Sequence, residues 1–183
     1  CAAPGTKSIV MSGMMNAEGT IVAVDINPSR LELLAENALN CRAENIKIRQ
    51  DDVRELNLKL ADGVLLDAPC TGTGVMGKRA DLRWKRTPEE LENAVKLQEE
   101  LLEEAGNHVH RGGRLIYSTC SIEPEENWEQ VQKFLSKFDN YELEKLDDFL
   151  PEEVLIEDGY AYQTFPHKHG CDGHFGVRMK RIK

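Results

Sequence analysis

The alternation of short apolar runs with amphipathic segments restricts the fold of this chain more than any other feature. TIVAVDI, residues 20 to 26, is β-branched and apolar, and it runs into Asn27 and Pro28, a helix cap followed by a proline suited to a first helical turn. Leu31, Leu34, Ala35, Ala38 and Leu39 then recur at helical spacing, which predicts a helix with one apolar face. IKIRQ (46 to 50) alternates as a short strand, and GVLLD (63 to 67) reads as a second apolar strand. Thr87, Pro88 and Glu90 form a capping box that opens a long helix with Leu91, Ala94, Val95, Gln98, Leu101, Leu102 and Ala105 along its inner stripe. GRLIYSTC (113 to 120) is a further buried strand, and Pro124 starts a helix that turns Trp128, Val131, Leu135 and Phe138 inward. YAYQTF (160 to 165) and GVRMKRI (176 to 182) follow one another across a loop and predict an antiparallel hairpin. Strands alternating with helices, then a terminal strand pair, give an α/β fold with a doubly wound, mostly parallel sheet and an antiparallel terminal hairpin. Its 183 residues suit one domain.

Charge narrows the partners. The formal net charge is -9, which disfavours a protein that wraps nucleic acid through its overall field. Any such contact must be a local patch, and KRADLRWKR (78 to 86) is the densest basic stretch. Lys78, Arg79, Arg83, Lys85 and Arg86 would meet phosphates there, and Trp84 would stack on a base. No apolar stretch approaches the roughly 18 residues of a membrane span. The five cysteines are an odd count without a C-x-x-C pair, which fits free thiols in a reducing, cytoplasmic compartment. The sequence opens directly on CAAPGTK, and no signal peptide is expected before that first motif.

A doubly wound sheet binds ligands beyond the carboxyl ends of its strands, and the polar residues of interest fall there. CAAPGTK (1 to 7) reads as a turn feeding a helix N-terminus, where free backbone N–H groups favour an anionic or carboxylate-bearing ligand. Asp25 ends the next strand, 20 residues past Gly5 (25 minus 5), the place of a carboxylate that accepts from a ribose diol. Asp52 ends the strand after it, where it would meet an adenine or its ribose, with Asp51 as its rival. Asp67 and Cys70 end one strand and Cys120 the next. If those strands are neighbours their ends lie about 5 Å apart, and both thiols face one crevice. Thr71, Gly72, Thr73 and Gly74 are expected to keep the loop around Cys70 open. Spacing alone does not say which thiol is the nucleophile.

CAAPGTK, VDINPSRL, LLDAPCTGTG, LRWKR and GGRLIYSTCSIEPEEN together resemble the RNA cytosine-5 methyltransferases of the NOP/Sun family. The likeness runs in order from residue 1 to about 137, and DGHFGVRMKR (172 to 181) resembles the family's closing strand. It implies a Rossmann-like methyltransferase sheet that uses S-adenosyl-L-methionine and acts on rRNA or tRNA as a monomer. Cys1, Ala2, Ala3, Pro4, Gly5, Thr6 and Lys7 would form the methionine-binding turn, Thr6 standing where the family has a second glycine. Asp25 would hold the ribose and Asp52 the adenine side, with Arg30 also on the cofactor and Asp67 at the cofactor-to-substrate edge. Cys120 would be the nucleophile, and Cys70 would assist product release. Carbon 5 of cytosine is a poor nucleophile, so a thiolate first adds to carbon 6 while a proton goes to ring nitrogen 3 from Asp67. The base must leave its stack to be reached.

Against the family pattern the chain is expected to lack a first strand and N-terminal RNA-binding segments. Two other classes fit parts of the pattern. A nucleotide-dependent oxidoreductase would also use Asp25 but would not require two thiols on adjacent strands. A non-catalytic S-adenosylmethionine-binding fragment would have the same sequence. His167, His169, Cys171 and His174 lie close together but match no standard zinc spacing, so no metal is expected, and Cys41 is incidental.

Overall fold

The computed structural model describes residues 1–16 and 18–183, which divide into two compact units, Cys1–Asn57 and Leu58–Lys183. In the first, helix α1 (Thr6–Met14) is followed by strand β1 (Ile21–Asp25), helix α2 (Pro28–Asn40) and strand β2 (Ile46–Gln50). β1 and β2 pair in parallel, with Asp25 opposite Gln50. The Asn27 side chain accepts the Arg30 N–H, so the sequence-assigned cap is real. The core of this unit joins Ala3, Ala23, Leu31 and Leu34. Ala38 continues the buried stripe, but Ala35 is exposed and Leu39 is 78% exposed. Both had been expected inside. Leu39 lies about 100° around the helix from Ala38, on the side turned to solvent, so the buried stripe of this helix is limited to Leu31, Leu34 and Ala38.

The second unit holds strand β3 (Ala61–Asp67), helices α3 (Leu82–Lys85) and α4 (Pro88–Asn107), strand β4 (Val109–Thr119) and helix α5 (Trp128–Lys137). Strands β5 (Tyr141–Leu143), β6 (Leu155–Ile156) and β7 (Ala161–Thr164), helix α6 (Pro166–His169) and strand β8 (His174–Arg181) complete it. The sheet runs β3-β4-β8-β7-β6, with β5 pairing β8. β3 and β4 are parallel neighbours, as the site argument required, with Asp67 opposite Ser118. β7 and β8 form the expected antiparallel hairpin, Thr164 opposite His174. β5 and β6, of three and two residues, are additional antiparallel pieces too short to leave a periodic signal. The Thr87 capping box is present with both hydrogen bonds, and Phe175, Val177 and Met179 alternate inward along β8.

The helix expected to start at Pro124 is broken in two. Residues 124–126 form one 3-10 turn and the α-helix starts only at Trp128. Asn127 between them is non-helical (φ -113°, ψ -106°), because its side chain is committed elsewhere. Among the described residues, no helix is long and apolar enough to cross a membrane.

Candidate active site

In the first unit the opening turn is tied to the end of β1. The nitrogens of Cys1 and Ala2 both donate to the carbonyl of Val24 (2.7 and 2.9 Å). Gly5 has φ +100°, and a β-carbon there would sit 2.8 Å from Leu34 Cγ, so only glycine admits both the left-handed conformation and the close packing on α2. Pro4, which follows a cis peptide bond, offers its carbonyl to Asn37 Nδ2 (3.0 Å). Thr6 and Lys7 begin α1 with no side chain capping its first turn.

Asp25, only 3% exposed, accepts the Ala3 N–H (3.1 Å) through one oxygen and the Asn27 N–H (3.0 Å) through the other. It therefore clasps the turn to the strand end. Arg30 reinforces the clasp by donating from Nη2 to the Ala3 carbonyl, so its guanidinium shapes the turn. Asp52 caps the short 3-10 turn at residues 53–55 through the Arg54 N–H (2.9 Å) and forms an ion pair with the Arg54 guanidinium (2.7 Å). Those hydrogen bonds, the side-chain one first, hold its carboxyl below the usual range. Its rival Asp51 is engaged by Arg49 (2.8 Å).

In the second unit the two thiols meet. Cys70 Sγ and Cys120 Sγ are 3.3 Å apart, within hydrogen-bond range for sulfur, and both side chains are half-buried and unoxidised. The hydrogen bond with Cys120 comes first in pushing the Cys70 thiol far above its usual range, followed by burial and then by the negative charges of Cys120 and Glu126. Asp67 stands at the same strand ends, where one carboxylate oxygen accepts from Ser118 Oγ (3.0 Å).

The loop around Cys70 is closed, contrary to expectation. Thr71, Gly72 and Gly74 are buried. Gly74 N–H donates to the Cys120 carbonyl (3.0 Å) and the Gly74 carbonyl accepts from Gly173 (2.8 Å), so its glycines serve close approach of three backbones rather than freedom. Ser121 Oγ reaches Thr73 Oγ1 (3.1 Å) and accepts from Glu123 N–H (3.0 Å).

Sequence reasoning gave no role to the group beneath these loops. Glu126, fully buried, accepts from Thr71 N–H and Gln98 Nε2 (2.8 and 2.9 Å). Asn127 holds Thr119 and Ser121 on either side of Cys120. A signal was present: Gln98 is a polar residue in the middle of an apolar stripe, and a buried amide demands partners.

The basic stretch is largely neutralised. Lys78 pairs with Asp172 (2.6 Å), while Arg79 and Lys85 both pair with Asp81 (3.2 and 3.1 Å). Arg86, expected to face phosphate, instead turns in and donates to the Thr71 carbonyl, because that carbonyl lies at the loop that the helix start must close. Arg83 is exposed and Trp84 is 91% exposed. In the closing segment His169 Nδ1 accepts the Phe165 N–H (2.9 Å) and His174 Nδ1 lies 2.7 Å from the Tyr162 hydroxyl. Burial first, then the Asp67 charge, raises that phenol to about 12.

Known proteins share the sequence and fold of this chain over nearly all of its length. The family model described as 16S rRNA methyltransferase RsmB/F matches residues 1–180. The probable ribosomal RNA small subunit methyltransferase B of Synechocystis is 34% identical over 186 residues, which is 99% of this chain and 42% of that protein. Ribosomal RNA small subunit methyltransferase F of Escherichia coli K12 is 35% identical over 189 residues, 100% of this chain and 39% of its own length. The crystal structure of NSun6 from Pyrococcus horikoshii with SFG superposes with a TM-score of 0.88 at 33% identity, over 100% of this chain and 47% of that one. A methyltransferase homologue from the same organism, matched over 99% of this chain and 59% of its own, gives 0.82 at 32% identity, so the Rossmann-like α/β fold is shared. The chain spans about two fifths of the length of the curated relatives it matches. It belongs to the RsmB/F family of 16S rRNA methyltransferases.

Proposed function

We propose that this chain carries the catalytic chemistry of an S-adenosyl-L-methionine-dependent RNA methyltransferase acting on carbon 5 of a cytosine through a covalent cysteine adduct. One observation carries the reading: two thiols from adjacent parallel strand ends lie 3.3 Å apart, beside the Asp67 carboxylate at the end of the same strand pair. Both sulfurs are free thiols rather than a disulfide. A chemistry that must both attach and expel a thiolate uses such a pair.

The first unit has groups that suit the cofactor. Backbone N–H groups at the start of α1 favour a carboxylate. Asp25 gives two of its roughly four lone-pair positions to backbone donors, which leaves acceptor capacity for a ribose diol, and Asp52 is kept ionised by Arg54. S-adenosylmethionine, when bound, supplies an electrophilic methyl on sulfonium. In the second unit Cys120 adds as the thiolate to carbon 6 of the flipped base, and Asp67, acting as the carboxylic acid, gives its proton to ring nitrogen 3 and is left as the carboxylate. After methyl transfer a base takes the carbon-5 proton, the carbon 6–sulfur bond breaks and its electron pair leaves with Cys120 as thiolate. Cys70, biased toward the protonated thiol, assists by offering its S–H to that departing sulfur. Trp84 and the exposed Arg83 are the RNA contacts, with Lys78, Arg79 and Lys85 able to exchange their carboxylates for phosphates.

The test uses RNA containing 5-fluorocytosine, which has no carbon-5 proton to lose and therefore traps the adduct. Parent chain and Cys70→Ala should give a protein–RNA band on denaturing gels, and Cys120→Ala should give none. On ordinary RNA only Cys70→Ala should accumulate the band. An adduct that persists without Cys120 and vanishes without Cys70 would reverse the assignment.

A further inference from the structure

Two successive residues grip the flanks of both thiols. The carboxylate of Glu126 accepts from the Thr71 N–H (2.8 Å), the Thr71 hydroxyl (2.5 Å) and Gln98 Nε2 (2.9 Å), and the same Gln98 nitrogen donates to the Pro69 carbonyl (2.9 Å). Both neighbours of Cys70 in the chain thus hang from one buried carboxylate. Asn127 does the same for the other sulfur: its Oδ1 accepts from the Thr119 hydroxyl (2.5 Å) and its Nδ2 donates to the Ser121 carbonyl (3.0 Å), the residues before and after Cys120. The pair is itself anchored. Tyr117 donates from its hydroxyl to the Glu126 carbonyl (2.6 Å), and Asn127 Nδ2 also reaches Gln163 Oε1 (3.0 Å) on β7. The break between the 3-10 turn and α5 is what lets adjacent side chains serve two different loops.

We propose that Glu126 and Asn127 are positioning residues that set the sulfur–sulfur separation, Glu126 acting on Cys70 and Asn127 on Cys120. The inference rests on the roles given to the two thiols above. Burying a carboxylate is costly unless every donor around it is placed, and here each donor belongs to, or is hydrogen-bonded to, a residue flanking Cys70. An apolar side chain would fill the same space without gripping either loop. Glu126 also contributes negative charge near Cys70, which favours its protonated form.

The experiment compares the unsubstituted chain with Glu126→Gln and Asn127→Ala, checked for native melting by circular dichroism. Phenylarsine oxide, which bridges two nearby thiols, reports the sulfur separation without any RNA, the Cys70–Cys120 bridge being located by peptide mass mapping. Misplacement of either loop should slow bridging by about tenfold or more. With RNA the two variants should part company. Glu126→Gln should accumulate adduct on ordinary RNA as Cys70→Ala does, and the Glu126→Gln, Cys70→Ala double variant should be no worse than Cys70→Ala. Asn127→Ala should form the 5-fluorocytosine adduct slowly and accumulate none on ordinary RNA. Thr71→Val and Thr119→Val, which each remove one hydroxyl from one grip, should show the same split at smaller amplitude, and they decide the matter if the larger changes prevent folding. Unchanged bridging in variants that melt normally, or equal loss of both RNA steps in all of them, overturns the proposal. Slowed bridging in variants of a chain that forms no adduct at all supports the positioning role and refutes the cytosine chemistry instead.

Discussion

Gly74→Ala tests whether the closed loop is what holds the thiols together. A β-carbon at Gly74 would lie 2.4 Å from the Gly173 carbonyl oxygen, 2.7 Å from the Gly173 carbonyl carbon and 2.8 Å from the Cys120 carbonyl oxygen. All three are backbone atoms, so no side chain can swing away. Ordinary contact begins at 3.4 Å, so one segment must retreat by about 1.0 Å (3.4 minus 2.4). That movement strains the Gly74–Cys120 and Gly173–Gly74 hydrogen bonds (3.0 and 2.8 Å). Overpacking of this kind costs roughly 1–3 kcal/mol and each of the two weakened bonds about 1 more, giving about 3–5 kcal/mol. Both tryptophans, Trp84 and Trp128, lie in the second unit, so urea unfolding followed by their fluorescence reads the right part of the chain. With a slope of roughly 1–3 kcal/mol/M the midpoint should fall by at least about 1 M. Gly77→Ala is the control, because a β-carbon there meets nothing within 4 Å. If Gly74→Ala unfolds within about 0.5 kcal/mol of the parent and still bridges its thiols with the arsenical, the loop does not set their separation.

Tyr117→Phe removes the donor to the buried Glu126 carbonyl (2.6 Å) and should cost about 1–3 kcal/mol in the same urea assay; a smaller loss would mean that the carbonyl finds another donor. The phenols of Tyr141 and Tyr162 are each pushed up to about 12, chiefly by burial. Their folded values exceed the unfolded value near 10, so their contribution to stability is complete below pH 10 and is lost as pH rises through 12. Native ultraviolet titration should lag behind that of the denatured chain in this window, and coincident curves would refute it. Trp84→Ala, at a ring 91% exposed, should leave melting unchanged while lowering RNA affinity about tenfold in fluorescence anisotropy; unchanged affinity removes Trp84 from the RNA surface.

The parts of the fold that follow from periodicity were legible in the sequence. The β-branched run at residues 20 to 26, the Asn27 and Thr87 caps and the hairpin strand read at 176 to 182 all carry signals that local physics enforces. Leu39 shows the limit of that reading: helical spacing assigns a face of a certain width, and only the partner surface decides how much of it is covered. The break at Asn127 was invisible for a different reason. Pro124 signals a helix start correctly, but whether that turn continues depends on hydrogen bonds to Thr119, Ser121 and Gln163, up to 36 residues away.

The candidate site divides along the same line. That Asp67, Cys70 and Cys120 would fall together was legible because strand ends are predictable and a reactive side chain at a strand end stands out. The contacts around them were not, because Glu126, Asn127, Thr71 and Gln98 form a network with no sequence period, each satisfying a donor or acceptor supplied by a distant segment. Both thiols sit on loops, and a loop has no ladder of hydrogen bonds to fix it to a fraction of an ångström. Here that stiffness comes from buried polar groups placed beneath the loop, and burial makes each unmade bond costly. Arg86 follows the same logic, since its donation to the Thr71 carbonyl adds a cation to the carboxylate that already holds this residue. The charge of KRADLRWKR is thus divided: its last arginine holds the Cys70 loop, while Arg83 and Trp84 face solvent, where the proposed RNA contact would fall.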